Sequence, residues 1–87
     1  MKRTELYKRV VNTYGITAQD LVAVEEMTEL SKVILKSKRG EMNTQELIDE
    51  ISDVEIMLEQ LKQNYGVADQ VKARKRYKKK RLEKRIS

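Results

Sequence analysis

Four acidic residues, in two pairs with a three-residue spacing, are the part of this sequence best suited to chemistry. The pairs are Glu26 with Glu29 and Glu50 with Asp53. A spacing of i, i+3 places two carboxylates on the same side of one helical turn, where they can share an ion. Carboxylate oxygens without His or Cys suit hard cations such as Mg²⁺ or Mn²⁺, which keep water and phosphate oxygens as further ligands.

The composition excludes most other kinds of site. The chain has no Cys and no His, which excludes disulfides, thiolate nucleophiles, and imidazole bases and ligands. Its 87 residues allow one domain, and 39% hydrophobic with 38% charged residues indicate a soluble all-α protein. Without Phe or Trp the core must consist of Leu, Ile, Val and Met. So small a core predicts partner chains.

The net charge of +5 is unevenly distributed. Residues 71–87, the basic tail, contain ten Lys or Arg against the single acid Glu83, a net of +9. Residues 1–70 therefore carry 5 − 9 = −4. We predict two parts, an all-α body over 1–70 and a helical basic tail over 71–87.

The elements that must position the acids are separated by the only three glycines, at 15, 40 and 66. Apolar periodicity stops at each glycine, as it does at helix C-termini. Helical spacing predicts a first short helix over 4–14, a second helix to about Lys38 and a third to about Tyr65. The segment from Ala68 has only a thin apolar stripe, and we expect its tip to be solvated or frayed.

Two N-cap patterns predict where the longer helices begin. Thr17 with Asp20, and Asn43 with Glu46, each pair a capping residue with an acid three positions later. The connection over 39–42 is short, which favours an antiparallel hairpin of the second and third helices. The predicted fold is therefore all-α: an antiparallel helical hairpin with flanking helices, which completes a four-helix bundle by oligomerisation.

The acids fall where apolar residues should be buried. With Leu30 at zero and about 100° per residue, Glu26 lies at about −40°, inside the buried arc, and Glu29 at about −100° on its edge. With Ile51 at zero, Glu50 lies at about −100° inside the third helix's arc, and Asp53 at about −160° just beyond it. The predicted arcs contain Ala23, Met27, Val33 and Ile34 on the second helix, and Leu47, Ile48, Val54, Met57, Leu58 and Leu61 on the third. By the same count Glu46 and Asp49 point outward.

Converging carboxylates need compensation. Like charges about 4 Å apart repel by about 4 kcal/mol at an effective dielectric constant of 20, and a buried unpaired carboxylate costs several kcal/mol. Protonation, a Lys or Arg partner, or a divalent cation could offset this. The alternative to a metal site is that the acids form ordinary ion pairs with Lys32, Lys36 or the basic fourth segment, and that the arcs are displaced by a few tens of degrees.

The same residues carry a family resemblance. The stretches Glu25-Glu26-Met27-Thr28-Glu29-Leu30 and Glu50-Ile51-Ser52-Asp53-Val54 resemble the EExxE and ExxD signature of the all-α nucleoside triphosphate pyrophosphohydrolases. The chain is similar to small MazG-like proteins, a group common in bacteria and their phages, over roughly 21–66. The resemblance implies Mg²⁺-dependent hydrolysis of a nucleoside triphosphate (NTP or dNTP) between the α and β phosphates, which gives the monophosphate and pyrophosphate.

The resemblance also implies roles for individual residues. Glu26, Glu29, Glu50 and Asp53 would be the Mg²⁺ ligands, with Mn²⁺ as a possible substitute, and Glu25 would be a catalytic acid that orients water or a second ion. Cations after the third helix would bind the substrate phosphates, here Lys72, Lys75 and Arg76. Asn64 would contact the sugar or base. Members of the family assemble as homodimers or homotetramers, and this chain is shorter than most and lacks Trp, Phe and His.

Two other functions fit the sequence. The basic tail could make the protein a small helical nucleic-acid-binding module, with Tyr77 stacking on a single-stranded base. Alternatively, the chain is a catalytically inactive MazG-like homologue whose metal site is structural or senses a ligand. The basic start over 1–4 is followed by no apolar core, and the longest apolar run is 21–24. We therefore expect a cytoplasmic protein without a membrane partner.

Overall fold

A computed structural model describes residues 1–87 as four α-helices. They are α1 (Arg3–Tyr14), α2 (Ile16–Lys38), α3 (Thr44–Asn64) and α4 (Ala68–Ile86). The predicted all-α class is confirmed, and the helix bounds agree with the predictions within about two residues. None of the four helices combines the length and the apolar character that a membrane span requires.

Helix ends follow local chemistry, with one correction to the predicted caps. Asn43 caps α3 as predicted, because its side chain accepts a hydrogen bond of 3.1 Å from the Glu46 N–H. The predicted cap at Thr17 is wrong. Gly15, at φ +90°, ends α1 and directly begins α2, and its carbonyl accepts from the Gln19 N–H at 3.1 Å. Only glycine adopts this backbone conformation without strain, and it lets α2 begin at Ile16, so that Thr17 lies inside the helix and not at its cap.

The hairpin of α2 and α3 contains most of the core. Ala23 and Val33 on α2 are buried with Val54 and Met57 on α3, and these two helices form the main contact of the fold. Residues 39–43 connect them, which makes the helices antiparallel, as predicted. The register of this hairpin fixes which acids of α2 face which acids of α3.

Helix α1 packs on one end of the hairpin through polar contacts around a buried tyrosine. The Tyr7 hydroxyl donates a hydrogen bond to Glu59, and Arg3 lies 3.6 Å from the same carboxylate. The Gln63 side chain donates to the Thr4 carbonyl at 2.7 Å. Tyr7 itself is only 5% exposed, so it anchors α1 to α3.

Several side chains of each predicted buried arc are exposed, which corrects the predicted core. We call this the apolar face: Met27 and Ile34 of α2 with Ile48, Ile51 and Leu58 of α3, which are 39–52% exposed. On each helix these residues lie on the positive-angle side of the buried seam. Because the two helices are antiparallel, their positive-angle sides lie on the same surface of the hairpin. A single chain has no element to cover that surface.

The chain exposes more surface than a compact domain of its size. Its accessible surface is 7062 Å², against about 5,300 Å² for a globular monomer of this mass. Its radius of gyration is 15.7 Å, against about 12 Å for a compact chain of this length. Helix α4 explains much of the difference, because it contacts only α3 and contains no buried residue. It remains helical to Ile86 and its tip is exposed, so the tip is solvated and not frayed.

Replacing Tyr7 with Phe should weaken the attachment of α1. We expect a loss of about 1–2 kcal/mol of unfolding free energy near neutral pH, because Glu59 loses its hydrogen-bond donor. Burial, the hydrogen bond to Glu59 and its negative charge raise the Tyr7 pKa above its ordinary value of 10.0. The stabilisation is therefore present below pH 10.0 and lost as the pH rises through the folded-state value.

Urea unfolding of wild type and Tyr7→Phe at neutral and at strongly alkaline pH measures this effect. The difference between the two proteins should shrink at alkaline pH. Tyr14→Phe, at an exposed tyrosine, is the matched control and should change little. A difference that is constant with pH would contradict the assigned role of the hydroxyl.

Candidate metal centre

Three of the four predicted acids converge across the hairpin. Glu26 of α2 and Glu50 and Asp53 of α3 each offer one carboxylate oxygen, and these oxygens all lie within 4.8 Å of one another. We call these residues the carboxylate trio. Glu26 and Glu50 are partly buried, whereas Asp53 is exposed. Glu26, at about −40°, and Glu50, at about −100°, lie between buried residues of the seam, whereas the residues of the apolar face lie on its positive-angle side.

The carboxylate trio lacks the partners that acids usually have. None of its members takes part in any of the four salt bridges of the chain. One oxygen of Glu50, Oε2, is buried with no hydrogen-bond partner. A buried acceptor without a donor carries its full desolvation cost. The alternative of ordinary ion pairs therefore does not account for these three residues.

The electrostatics of the trio favour a proton or a cation. Burial raises the pKa of Glu26 above its ordinary value, and the negative charges and hydrogen-bonding oxygens of Asp53 and Glu50 raise it further. Each of these causes disfavours a third negative charge at this point. A bound divalent cation would reverse that preference, because it stabilises the ionised carboxylates.

The donor set fits a hard divalent cation. All three ligands are carboxylate oxygens, and one of the three residues, Glu50, has a buried oxygen without a partner. Opposite ligands of Mg²⁺ or Mn²⁺ are about 4.2 Å apart at metal–oxygen distances near 2.1 Å. The observed limit of 4.8 Å is larger by a few tenths of an ångström. Small side-chain rotations of Asp53 and Glu26 would close this gap.

The other two acids of the motif lie outside the trio. Glu29 is exposed and pairs with Lys32 of its own helix at 3.3 Å, so the ion-pair alternative holds for this residue. Glu25 is also exposed. Their assignments, a fourth metal ligand and a catalytic acid, stay predictions. Glu46 and Asp49 are exposed as predicted, and Glu46 lies 4.0 Å from Lys36.

The predicted substrate-binding residues lie in other surface depressions. Lys72, Lys75 and Arg76 line a depression with Lys62 at the junction of α3 and α4. Asn64 lines another, between α1 and α3, together with Lys8. Neither depression includes a member of the trio. Within one chain, the structure does not bring these predicted phosphate and sugar contacts together with the carboxylates.

Two buried glutamines near the hairpin seam were not identified from the sequence. Gln19 and Gln60 are 7% and 6% exposed, and Gln60 Oε1 has no hydrogen-bond partner. Gln19 lies at about −20° on the α2 wheel, so its angle alone could have identified it. Gln60 is diametrically opposite Ile51 on α3, and nothing in the sequence marks it as buried.

A third unpartnered oxygen belongs to Asp20. The Tyr65 hydroxyl donates to the other oxygen of this carboxylate, and that hydrogen bond is the main cause of a raised Tyr65 pKa. Asp20 Oδ1 is buried without a partner. This pair lies on the apolar-face side of the hairpin, away from the trio.

Comparisons of the chain with protein-family models, with curated proteins and with solved structures gave no match.

Glu26→Gln should make the protein without metal more stable and less responsive to metal. In buffer free of divalent cations near neutral pH, we expect a melting temperature equal to or a few degrees above wild type, because one of three repelling charges is removed. Added Mg²⁺ should raise the wild-type melting temperature more than that of the variant.

Glu29→Gln tests the fourth predicted ligand in the same experiment. Without metal it loses only an exposed pair with Lys32, which contributes less than about 1 kcal/mol. An unchanged response to Mg²⁺ would show that Glu29 is not a ligand, and a reduced response would assign it to the site. A wild-type protein that neither Mg²⁺ nor Mn²⁺ stabilises would contradict the metal centre.

Proposed function

We propose that this protein is a Mg²⁺-dependent nucleoside triphosphate pyrophosphohydrolase, which cleaves NTP or dNTP to the monophosphate and pyrophosphate. The observation that carries the proposal is the convergence of Glu26, Glu50 and Asp53 without any cationic partner. These three are members of the motif whose resemblance to the MazG-like enzymes implies the activity. The proposed setting is the cytoplasm, where nucleoside triphosphates are available.

In this proposal the carboxylate trio holds the metal, and Glu29 joins it after exchanging its partner Lys32. When bound, Mg²⁺ supplies charge neutralisation for the phosphates and orients the attacking water. Glu50 gains the partner that its buried oxygen lacks. Glu25, on the same helix, is exposed to solvent and would accept a proton from water or orient it. No nucleophilic side chain is required, which agrees with a chain without His or Cys.

The proposed substrate contacts are Lys72, Lys75 and Arg76 for the phosphates and Asn64 for the sugar or base. The three cations form no salt bridge within the chain, so they are available to an anionic ligand. To act at the trio they must come from a second copy or from a reoriented α4, because they line a separate depression. This requirement links catalysis to assembly.

A second copy of the chain is the proposed partner of the apolar face. The five residues of the apolar face are 39–52% exposed and have no cover within the chain, and a chain with so small a core gains stability by burying them against a second copy. The residues of the apolar face come from both helices of the hairpin, and two such hairpins packed together form a four-helix bundle. A larger homo-oligomer, such as a tetramer, would use the same contact.

Glu50→Gln and Asp53→Asn should each abolish pyrophosphate release while the helical circular dichroism signal persists, because each removes a metal ligand. We expect a loss of at least about 100-fold in turnover. A panel of nucleoside triphosphates with Mg²⁺, assayed for pyrophosphate with and without EDTA, measures it.

Asp49→Asn is the matched control, since Asp49 is an exposed acid of the same helix and should leave turnover unchanged. Stabilisation by Mg²⁺ without turnover of any triphosphate would instead identify an inactive homologue with a structural or sensing site. Turnover that survives both substitutions, or that persists in EDTA, would overturn the proposed function.

A charged residue introduced into the apolar face should prevent the proposed oligomer from forming. Ile51→Lys is expected to convert the oligomer to monomers, because an interface cannot bury an unpaired ammonium group. Light scattering coupled to size-exclusion chromatography measures the mass. The control is Ile56→Lys, at a comparably exposed isoleucine on a different side of α3. A monomeric wild type would contradict the proposed assembly.

A further inference from the structure

Helix α4 is strongly cationic, and no acidic residue of the chain pairs with its charges. Residues 68–86 contain ten Lys or Arg and two acids, a net charge of 10 − 2 = +8. None of the ten cations takes part in a salt bridge, and no residue of α4 is buried. Nineteen helical residues span about 28 Å, so the helix carries roughly one cation for every 3 Å.

The cations surround the helix instead of lying on one face. Relative to Val71, which is partly buried, Lys75 points to about +40°, Lys80 to about 180° and Arg81 to about −80°. A helix that binds a flat anionic surface needs its cations on one side and a continuous apolar face on the other. Here the apolar stripe of Val71, Leu82 and Ile86 is interrupted by Lys75 and Lys78. The distribution disfavours a lipid surface.

Cations on all sides of a helix can pair with a ligand that presents anionic groups on several sides of that helix. The major groove of duplex DNA is about 12 Å wide and accommodates an α-helix between two phosphate backbones. The duplex carries one negative charge per about 1.7 Å of its axis, which exceeds the density of cations along α4. The guanidinium of Arg74 lies 4.7 Å from the centre of the Tyr77 ring. One face of the only aromatic ring in α4 is thus already covered, which favours backbone contacts over stacking on a single strand.

From these observations we propose that α4 binds duplex nucleic acid through its phosphates, without base specificity. The binding goes beyond the proposed hydrolysis and does not depend on it. The half of α4 beyond Tyr77 carries six of the ten cations and none of the residues proposed to contact the substrate. Substitutions in that half therefore test nucleic-acid binding without changing the proposed substrate contacts.

The test measures binding of the full chain to a short fluorescently labelled duplex of random sequence by anisotropy, over a range of salt concentrations. If about five phosphates are neutralised, the slope of log K against log salt is about −4.5, and affinity falls about 500-fold between about 50 and 200 mM salt. A second duplex of unrelated sequence should bind equally well.

The variant with Lys78→Gln, Lys80→Gln, Arg81→Gln and Lys84→Gln keeps good helix formers and removes four charges. We expect its affinity to fall at least about 10-fold at low salt and its slope to flatten by about 2. The matched control removes four charges from the body instead, with Lys2→Gln, Lys8→Gln, Lys38→Gln and Arg39→Gln. Its slope should stay near the wild-type value. Circular dichroism of both variants verifies that they are folded.

Three results would overturn the proposal. The first is that the duplex does not bind, or that α4 and body variants lose affinity equally. The second is preferential binding to vesicles that contain anionic lipid, which would assign α4 to a membrane surface. The third is equally tight binding to an acidic peptide such as poly-glutamate, which would assign it to an acidic protein partner. Nucleotide hydrolysis measured on the same variants is a separate readout.

Discussion

The central constraint in this molecule is the mutual repulsion of Glu26, Glu50 and Asp53 across the α2–α3 seam. The same apolar packing that holds the hairpin together brings three carboxylate oxygens within 4.8 Å of one another and leaves one oxygen of Glu50 buried without a partner. Seven of the 87 residues are buried, so the core has little free energy to offset this repulsion. A divalent cation would turn the repulsion into a crosslink between the two helices.

The hairpin has two deficits. Its seam contains negative charges without a cation, and one of its surfaces exposes apolar side chains without a cover. The proposed metal ion would offset the first deficit, and the proposed second copy would cover the second. Both proposals therefore address the same small core.

Charge is segregated along the chain as well as across the hairpin. The acidic body and the cationic α4 form no salt bridge with each other, although their opposite charges would permit several. The reason is geometric, since α3 is the only helix that α4 contacts and no residue of α4 is buried. Phosphates are the ligands that the two proposals have in common, those of a nucleotide at the metal and those of duplex nucleic acid along α4.

Much of the fold could be predicted from this sequence, because its signals are local. The glycines at 15, 40 and 66 all have positive φ and end helices, and Asn43 caps α3 through its own side chain. The predicted cap at Thr17 was wrong because α2 begins one residue earlier, at Ile16. The convergence of Glu26 and Glu50 was predicted for a similar local reason, since helical periodicity placed both inside the buried arcs.

The sequence by itself determined the helices, their amphipathic sides and the acids that face the seam, since each depends on spacing within one helix. Tertiary structure alone decided which acids meet, because Glu29 could rotate to Lys32 while Glu26 faces α3. It also decided that Met27 and Ile51 are uncovered, that Gln60 is buried and that α4 contacts α3 alone. These outcomes depend on the register and angle between helices, which the packing of distant residues sets.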